Sequence, residues 1–156
     1  SMMLDNIANE TIRARIGEAH VVKKMNELNI SIGGEGNGGV ILKEVHLGRD
    51  SLVAISMVLS LLSSSGKSIS DEISNTPKYL MIKDKIRVDN KIDFDSLETI
   101  FDCNEINKLD GIKFSWPNKW IHIRKSNTEP IIRIFAEAST QEEVDELINT
   151  LKNYLK

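Results

Sequence analysis

Apolar residues recur near the end of the chain at Val144, Leu147, Ile148, Leu151 and Leu155, one face of a 3.6-residue period. Thr140 and Glu143 stand in front of them with capping-box spacing, so the pattern predicts a helix from residue 141 onward. Upstream the period shortens to two. Tyr79–Val88, with basic residues interleaved, and Gly111–Trp116, Trp120–Arg124 and Ile131–Glu137 read as strands. Between the first two, Asp95-Ser96-Leu97-Glu98 has capping-box spacing, with Leu97, Ile100 and Phe101 as an apolar helical face. The order β-α-β-β-β-α predicts a roughly four-stranded antiparallel sheet packed by two helices.

The N-terminal part alternates helix and strand signals. Asp5–Glu10 reads as a helix, Thr11–Ile16 as a strand, and Gly17-Glu18 as the start of a helix with Val21, Val22, Met25 and Leu28 on one side. Ile30–Ile32 and Val40–Leu42 read as extended. Arg49–Leu62 is a helix with apolar residues nearly all round, which predicts burial on more than one side. The run Ser63–Ser68, a helical turn over Ser68–Ser74, and Asn75-Thr76-Pro77 punctuate the chain. The expectation is therefore α+β overall: a partial α/β domain over 1–67, a linker over 68–76 and a C-terminal domain over 77–156.

Composition narrows the function. In 156 residues, 20 Lys+Arg against 23 Asp+Glu give a net charge of −3, which argues against a nucleic-acid partner. Aromatic residues are only 5%, so the core has to be aliphatic. One cysteine, Cys103, excludes a disulfide framework and a multi-cysteine zinc site, and a reducing, cytoplasmic compartment fits best. Leu52–Leu62 is far shorter than the roughly 20 residues that span a bilayer, so no membrane partner is expected. Ser1-Met2-Met3 reads as a cleavage remnant before a native methionine, without a targeting signal.

Two segments carry candidate chemistry. Gly33–Gly39 has five glycines in seven residues, with Glu35 and Asn37 as its only functional side chains. Glycine lets the backbone turn sharply or lie close to a ligand, and a carboxylate beside an amide suits vicinal sugar hydroxyls. A plain flexible turn fits the same composition. The second segment is Arg124-Lys125-Ser126-Asn127-Thr128-Glu129-Pro130, followed by Arg133. Guanidinium groups at both ends, two hydroxyls and the backbone amides of a tight loop form a donor set suited to phosphate. Ile132 and Ile134 alternate with Arg133, so its side chain should rise from one sheet face. A solvated hairpin is the competing reading.

Arg124–Arg133, R-K-S-N-T-E-P-I-I-R, resembles the R-x-S-G-T-E-P-x-x-R phosphate loop of the α-D-phosphohexomutases. Gly34-Glu35-Gly36-Asn37-Gly38 resembles their G-E-x-S-G sugar loop, and Thr11–Met25 and Gly48–Leu52 resemble the segments that flank it. The order matches the end of domain 3 followed by domain 4, over nearly the whole chain. The resemblance implies enzymes, classed as isomerases, that interconvert hexose 1-phosphates and 6-phosphates through a bisphosphate. It places Glu35 and Asn37 on sugar hydroxyls, and Arg124, Ser126, Asn127, Thr128 and Arg133 on the non-reacting phosphate.

The family's phosphoserine loop and its Asp-Gly-Asp magnesium loop have no counterpart here. The expectation is a fragment that binds hexose phosphate, holds no catalytic residue, cofactor or metal of its own, and is inactive alone. Mg2+ and catalysis would come with missing N-terminal domains, its expected partners. Self-association through a truncated apolar edge is a further expectation. A non-catalytic anion-binding or protein-interaction module derived from the fold is the alternative. Asn37 for serine, Gly39 where many members have histidine, and Asn127 for glycine depart from the family pattern; asparagine tolerates left-handed backbone angles, so the phosphate turn can survive. His20, His46 and Cys103 read as structural, Lys83, Lys85 and Arg87 as a solvated strand face, and His122 lies on the strand face of Arg124.

Overall fold

A computed structural model describes residues 2–87, 93–126 and 129–155 and divides the chain into two units: Thr11–Thr76, and Pro77–Lys156 together with Ser1–Glu10. The first helix, α1 (Met2–Ile7), thus belongs with the C-terminal unit. The Met2 N–H donates to the Glu137 carboxylate, and Asn6 Nδ2 donates to the Tyr79 hydroxyl at 3.1 Å.

The unit Thr11–Thr76 runs α2 (Glu18–Leu28), β1 (Ile32–Gly34), β2 (Val40–Leu42), α3 (Ser51–Ser65) and α4 (Ile69–Ser74). The two strands pair antiparallel, with Ile32 opposite Leu42 and Gly34 opposite Val40. Asp50 caps α3: its Oδ1 accepts from the Leu52 and Val53 amides at 2.7 and 3.1 Å, satisfying donors that the first helical turn leaves open. A reciprocal Ser68–Asp71 capping box starts α4, so most of the segment 68–76 is helical.

Two expectations fail in this unit. Thr11–Ile16 is not a strand, because among the described residues no strand runs beside it and an extended segment needs a neighbour to satisfy its backbone. The helix α3 is not buried on several sides: Val53 is buried, whereas Leu52, Ile55, Leu59 and Leu61 are exposed. Two strands of three residues offer surface for only one side of so long a helix.

The C-terminal unit runs β3 (Leu80–Arg87), a 3-10 turn (Ser96–Thr99), β4 (Glu105–Asn107), β5 (Ile112–Ser115), β6 (Trp120–Lys125), β7 (Ile131–Ala138) and α5 (Gln141–Tyr154). Its five strands are all antiparallel in the order β3-β7-β6-β5-β4. Alternation decides what packs. Ile112 and Phe114, Ile121 and Ile123, and Ile132 and Ile134 turn to one face and are buried with Val144, Leu147, Ile148 and Leu151 of α5. Thr140 caps α5 by accepting from the Glu143 amide at 3.3 Å.

The α+β architecture agrees with the sequence reading, with two corrections of detail. The sheet has a fifth strand, β4, whose three residues are too few to show a period. The capping-box segment at Asp95 forms only a 3-10 turn, and the Asp95 side chain makes no cap bond. Among the described residues, no helix is long and apolar enough to cross a membrane.

The core face of β3 is tied to α5 by Asp84, whose Oδ2 lies 2.7 Å from Lys152 Nζ. The hydrogen bond from Lys152 holds the Asp84 carboxyl below its ordinary value, more than partial burial raises it. A carboxylate depressed in the folded state contributes stability that is complete above its unfolded value of about 3.9 and disappears as pH falls through the lower folded value. Asp84→Asn is therefore expected to lower the unfolding temperature at pH 7, with the gap to wild type closing at the acid end. Tryptophan fluorescence suits the measurement, because the chain's 2 tryptophans, Trp116 and Trp120, both lie in this unit. A gap unchanged down to pH 2 would remove Asp84 from the account.

Candidate functional site

The glycine-rich segment closes the β1–β2 hairpin. The Glu35 amide donates to the Gly39 carbonyl at 3.0 Å, and the Gly38 amide donates to the Glu35 carbonyl at 3.1 Å. Asn37 folds back on the turn, its Oδ1 accepting from the Gly39 amide at 3.0 Å. Glu35 is more enclosed, with its side chain only 13% exposed. Its Oε1 accepts from the Gly17 amide, at the start of α2, at 3.2 Å, and its Oε2 lies 3.3 Å from Arg49 Nη1. Arg49 also donates from Nε to Glu18 Oε2 at 2.7 Å. That hydrogen bond is the main cause of a lowered Glu18 carboxyl and a raised Arg49. Arg49 and Glu18 have no place among the candidates read from the sequence.

His46 and Asp50 sit beside this network. The His46 ring pairs with Asp50 Oδ2 at 2.9 Å, and this bond, together with the helix amides, holds the Asp50 carboxyl low. Among the described residues, His20 and Cys103 form no hydrogen bond or ion pair with either candidate segment, and Cys103 is a free thiol.

The arginine-rich segment joins β6 to β7. Its neck is closed by the Ser126 amide donating to the Ile131 carbonyl at 3.0 Å. Arg124 on β6 and Arg133 on β7 are direct cross-strand partners, so both side chains leave the sheet on the face opposite α5. Lys85 on β3 faces Arg133 from the other side, giving a row of three cations across three adjacent strands. Like charges placed directly opposite destabilise a sheet.

Carboxylates only partly offset this charge: Asp110 Oδ2 lies 3.8 Å from Arg124 Nη2, and Glu129 Oε2 lies 3.8 Å from Arg133 Nη2. Arg133 Nη2 also donates to Ser126 Oγ at 3.4 Å. Arg124 Nε is buried and finds no hydrogen-bond partner among the described residues. Asn127 and Thr128, the remaining candidates, lie outside the described residues.

Beside Arg124 opens a depression of about 380 Å3, lined among others by Phe94, Lys108, Asp110 and Gly111. Its volume is within the usual range for small-ligand sites of roughly 300–1,000 Å3. Lys85, Arg87, Glu129, Pro130 and Ile131 line a second depression, of about 490 Å3, on the other side of the hairpin. His122 stands two residues before Arg124 on the same strand face, its Nε2 bonded to the Asp110 carbonyl oxygen. A carbonyl can only accept, so Nε2 carries the proton. Burial pushes the His122 pKa down, outweighing the carbonyl's opposite pull. Among the described residues no group of three or more His, Cys, Asp or Glu side chains is arranged to hold a metal ion.

Comparison with known proteins accounts for nearly all of the chain. The profile of phosphoglucomutase/phosphomannomutase alpha/beta/alpha domain III matches residues 1–79, and that of the phosphoglucomutase/phosphomannomutase C-terminal domain matches residues 85–153. A phosphoglucomutase/phosphomannomutase of Thermococcus kodakarensis is 35% identical over 95% of this chain and 34% of its own. A phosphoglucosamine mutase of Methanococcus maripaludis is 31% identical over 96% of this chain and 36% of its own. The chain thus spans about a third of the length of the curated relatives it matches. The crystal structure of a phosphoglucomutase/phosphomannomutase family protein from Burkholderia thailandensis shares the fold, with a TM-score of 0.74 at 22% identity over 90% of this chain and 31% of that one.

Proposed function

Since this chain belongs to the phosphoglucomutase/phosphomannomutase family, we propose that it is the phosphosugar-binding C-terminal portion of a phosphohexomutase. The whole enzyme would interconvert hexose 1-phosphate and 6-phosphate through a bisphosphate intermediate. In this reading Arg124 and Arg133, with Ser126, Asn127 and Thr128, hold the phosphate that is not reacting. Glu35 and Asn37 receive sugar hydroxyls.

The observation that carries the reading is the register of Arg124 against Arg133. Two guanidinium groups forced side by side, with their counter-ions at the outer limit of ion pairing, are relieved by an anion that accepts from both. A phosphate has oxygens enough to do so. Its anchoring spends binding energy far from the reacting atoms to hold them in place, and this raises the rate where the chemistry occurs. Each half-reaction presents the opposite end of the substrate, so the anchor has to accept either phosphate. The phosphorylated serine and the magnesium ion come from domains other than these two, and the chain by itself is inactive. Its compartment is the cytoplasm, in keeping with its single free cysteine.

Titration of the labelled chain with inorganic phosphate, glucose 1-phosphate, mannose 1-phosphate and glucosamine 1-phosphate tests this, followed through the backbone amides. The expected result is a response over 124–133 to all four ligands and an added, sugar-dependent response over 33–39. Silence of the 124–133 segment toward every ligand, with the fold intact, would leave an interaction module as the better reading.

A further inference from the structure

We infer that Arg49 is a positioning residue of the sugar loop, and that Gly39 is glycine to make room for it. The inference rests on Glu35 being a sugar contact. A Cβ at position 39 would lie 2.3 Å from Arg49 Cδ and 2.9 Å from its Cγ, so the arginine stem occupies the volume that any other residue at 39 would fill. From there its guanidinium reaches two carboxylates, Glu18 through Nε at 2.7 Å and Glu35 through Nη1 at 3.3 Å. Glu35 is then fixed from two directions, by Arg49 on Oε2 and by the Gly17 amide on Oε1.

This arrangement fixes the carboxylate without using it up. Each carboxylate oxygen has two acceptor sites, and each Glu35 oxygen has one partner among the described residues. The remaining sites lie on a group whose orientation is set before a ligand arrives, so binding spends less on ordering it. A planar guanidinium bridges Glu18 and Glu35 from different nitrogens, which a lysine ammonium, acting as a point charge, does not reproduce.

Position 39 gives a second handle on the same contact. Gly39 has no positive φ, so alanine there is compatible with the backbone. What stands in its way is first the middle of a flexible side chain, with Asn37 Oδ1 a milder contact at 3.2 Å, and Gly39→Ala acts mainly by pushing Arg49 off Glu35.

The test is a double-mutant cycle of Arg49→Ala and Gly39→Ala, with Arg49→Lys alongside, in the chain as it stands. The Gly17 amide resonance reports whether Glu35 remains in place. Affinities for glucosamine 1-phosphate, mannose 1-phosphate and inorganic phosphate report function. Both alanine variants are expected to shift the Gly17 amide and to weaken hexose-phosphate binding about tenfold, the range of one polar contact. They should leave inorganic phosphate affinity unchanged.

The double variant should be close to Arg49→Ala alone, because with the arginine stem gone Gly39→Ala meets only Asn37 Oδ1, at 3.2 Å. Arg49→Lys should fall between wild type and alanine. Additive losses in the double variant, an unmoved Gly17 amide, or equal losses toward inorganic phosphate would each overturn the inference. Absence of any sugar-dependent response in the wild type would instead overturn the sugar-site reading and the functional half of the inference. The Gly17 amide would still decide whether Arg49 holds Glu35.

Discussion

Arg124→Ala is expected to weaken inorganic phosphate binding by roughly 10- to 100-fold while leaving the unfolding temperature of the C-terminal unit nearly unchanged. The loss follows from the type of contact: a charge-assisted hydrogen bond contributes about 1.5–3 kcal/mol, and each 1.4 kcal/mol is tenfold in affinity. The stability half follows from the cross-strand geometry. Arg124 faces Arg133 directly, its Nε is buried without a partner among the described residues, and the carboxylate it pairs with there, Asp110, is at 3.8 Å.

Removing the side chain relieves a like-charge pair and an unsatisfied donor, against the loss of its aliphatic stem beside Gly111. The control is Lys125→Ala. Lys125 carries the same charge one residue on and lines the same depression, but it leaves the sheet on the other face and rests over the Phe94 ring at 4.8 Å. Lys125→Ala should cost little phosphate affinity. Calorimetric titration and fluorescence-detected melting measure both halves. Equal losses in the two variants would mean a diffuse positive field rather than an anchored phosphate.

A residue that lowers stability where it stands is a common mark of a binding site, and it explains which parts of this protein were legible in its sequence. The C-terminal core was legible because its physics is periodic. Val144, Leu147, Ile148 and Leu151 follow the helix period, and Ile132 and Ile134 follow the strand period; all six are buried. The strand β4 was not legible, since three residues cannot show alternation, and Thr11–Ile16 misled because strand propensity does not supply a neighbour to pair with. The helix α3 misled for a related reason: its apolar residues announce burial, but nothing in one helix says how much surface will meet it.

In each candidate segment the residue types stood out in the sequence, whereas the cross-strand pairing within the C-terminal sheet did not. Nothing local indicates that Lys85, Arg133 and Arg124 fall in one row, because register is a property of three strands together. Arg49 was hidden more deeply. It lies 14 positions beyond Glu35 and reads as a helix-start residue, and its only trace is the glycine at 39 that makes room for it.

Gly111→Ala should strongly destabilise the C-terminal unit. Gly111 has φ +78 and sits just before β5, against the β6 backbone. A Cβ there would lie 2.3 Å from the Ile123 carbonyl oxygen and 3.0 Å from Arg124 Cα. Unlike the arginine stem over Gly39, these neighbours are backbone and cannot swing aside. A left-handed angle costs an L-residue about 1–2 kcal/mol, and overpacking adds about 1–3 kcal/mol, so the expected destabilisation is about 2–5 kcal/mol. At about 4–8 °C per kcal/mol for a domain of this size, the melting temperature should fall by about 8 °C or more.

Asparagine separates the two causes, because it tolerates the left-handed angle yet still carries a Cβ. Gly111→Asn should therefore recover only the smaller, conformational part. The displaced backbone is that of Ile123 and Arg124, so both variants should also lose phosphate affinity under conditions where they remain folded. Phosphate binding at wild-type strength in a folded Gly111→Ala protein would show that the position of Arg124 does not depend on the closeness of β5 to β6.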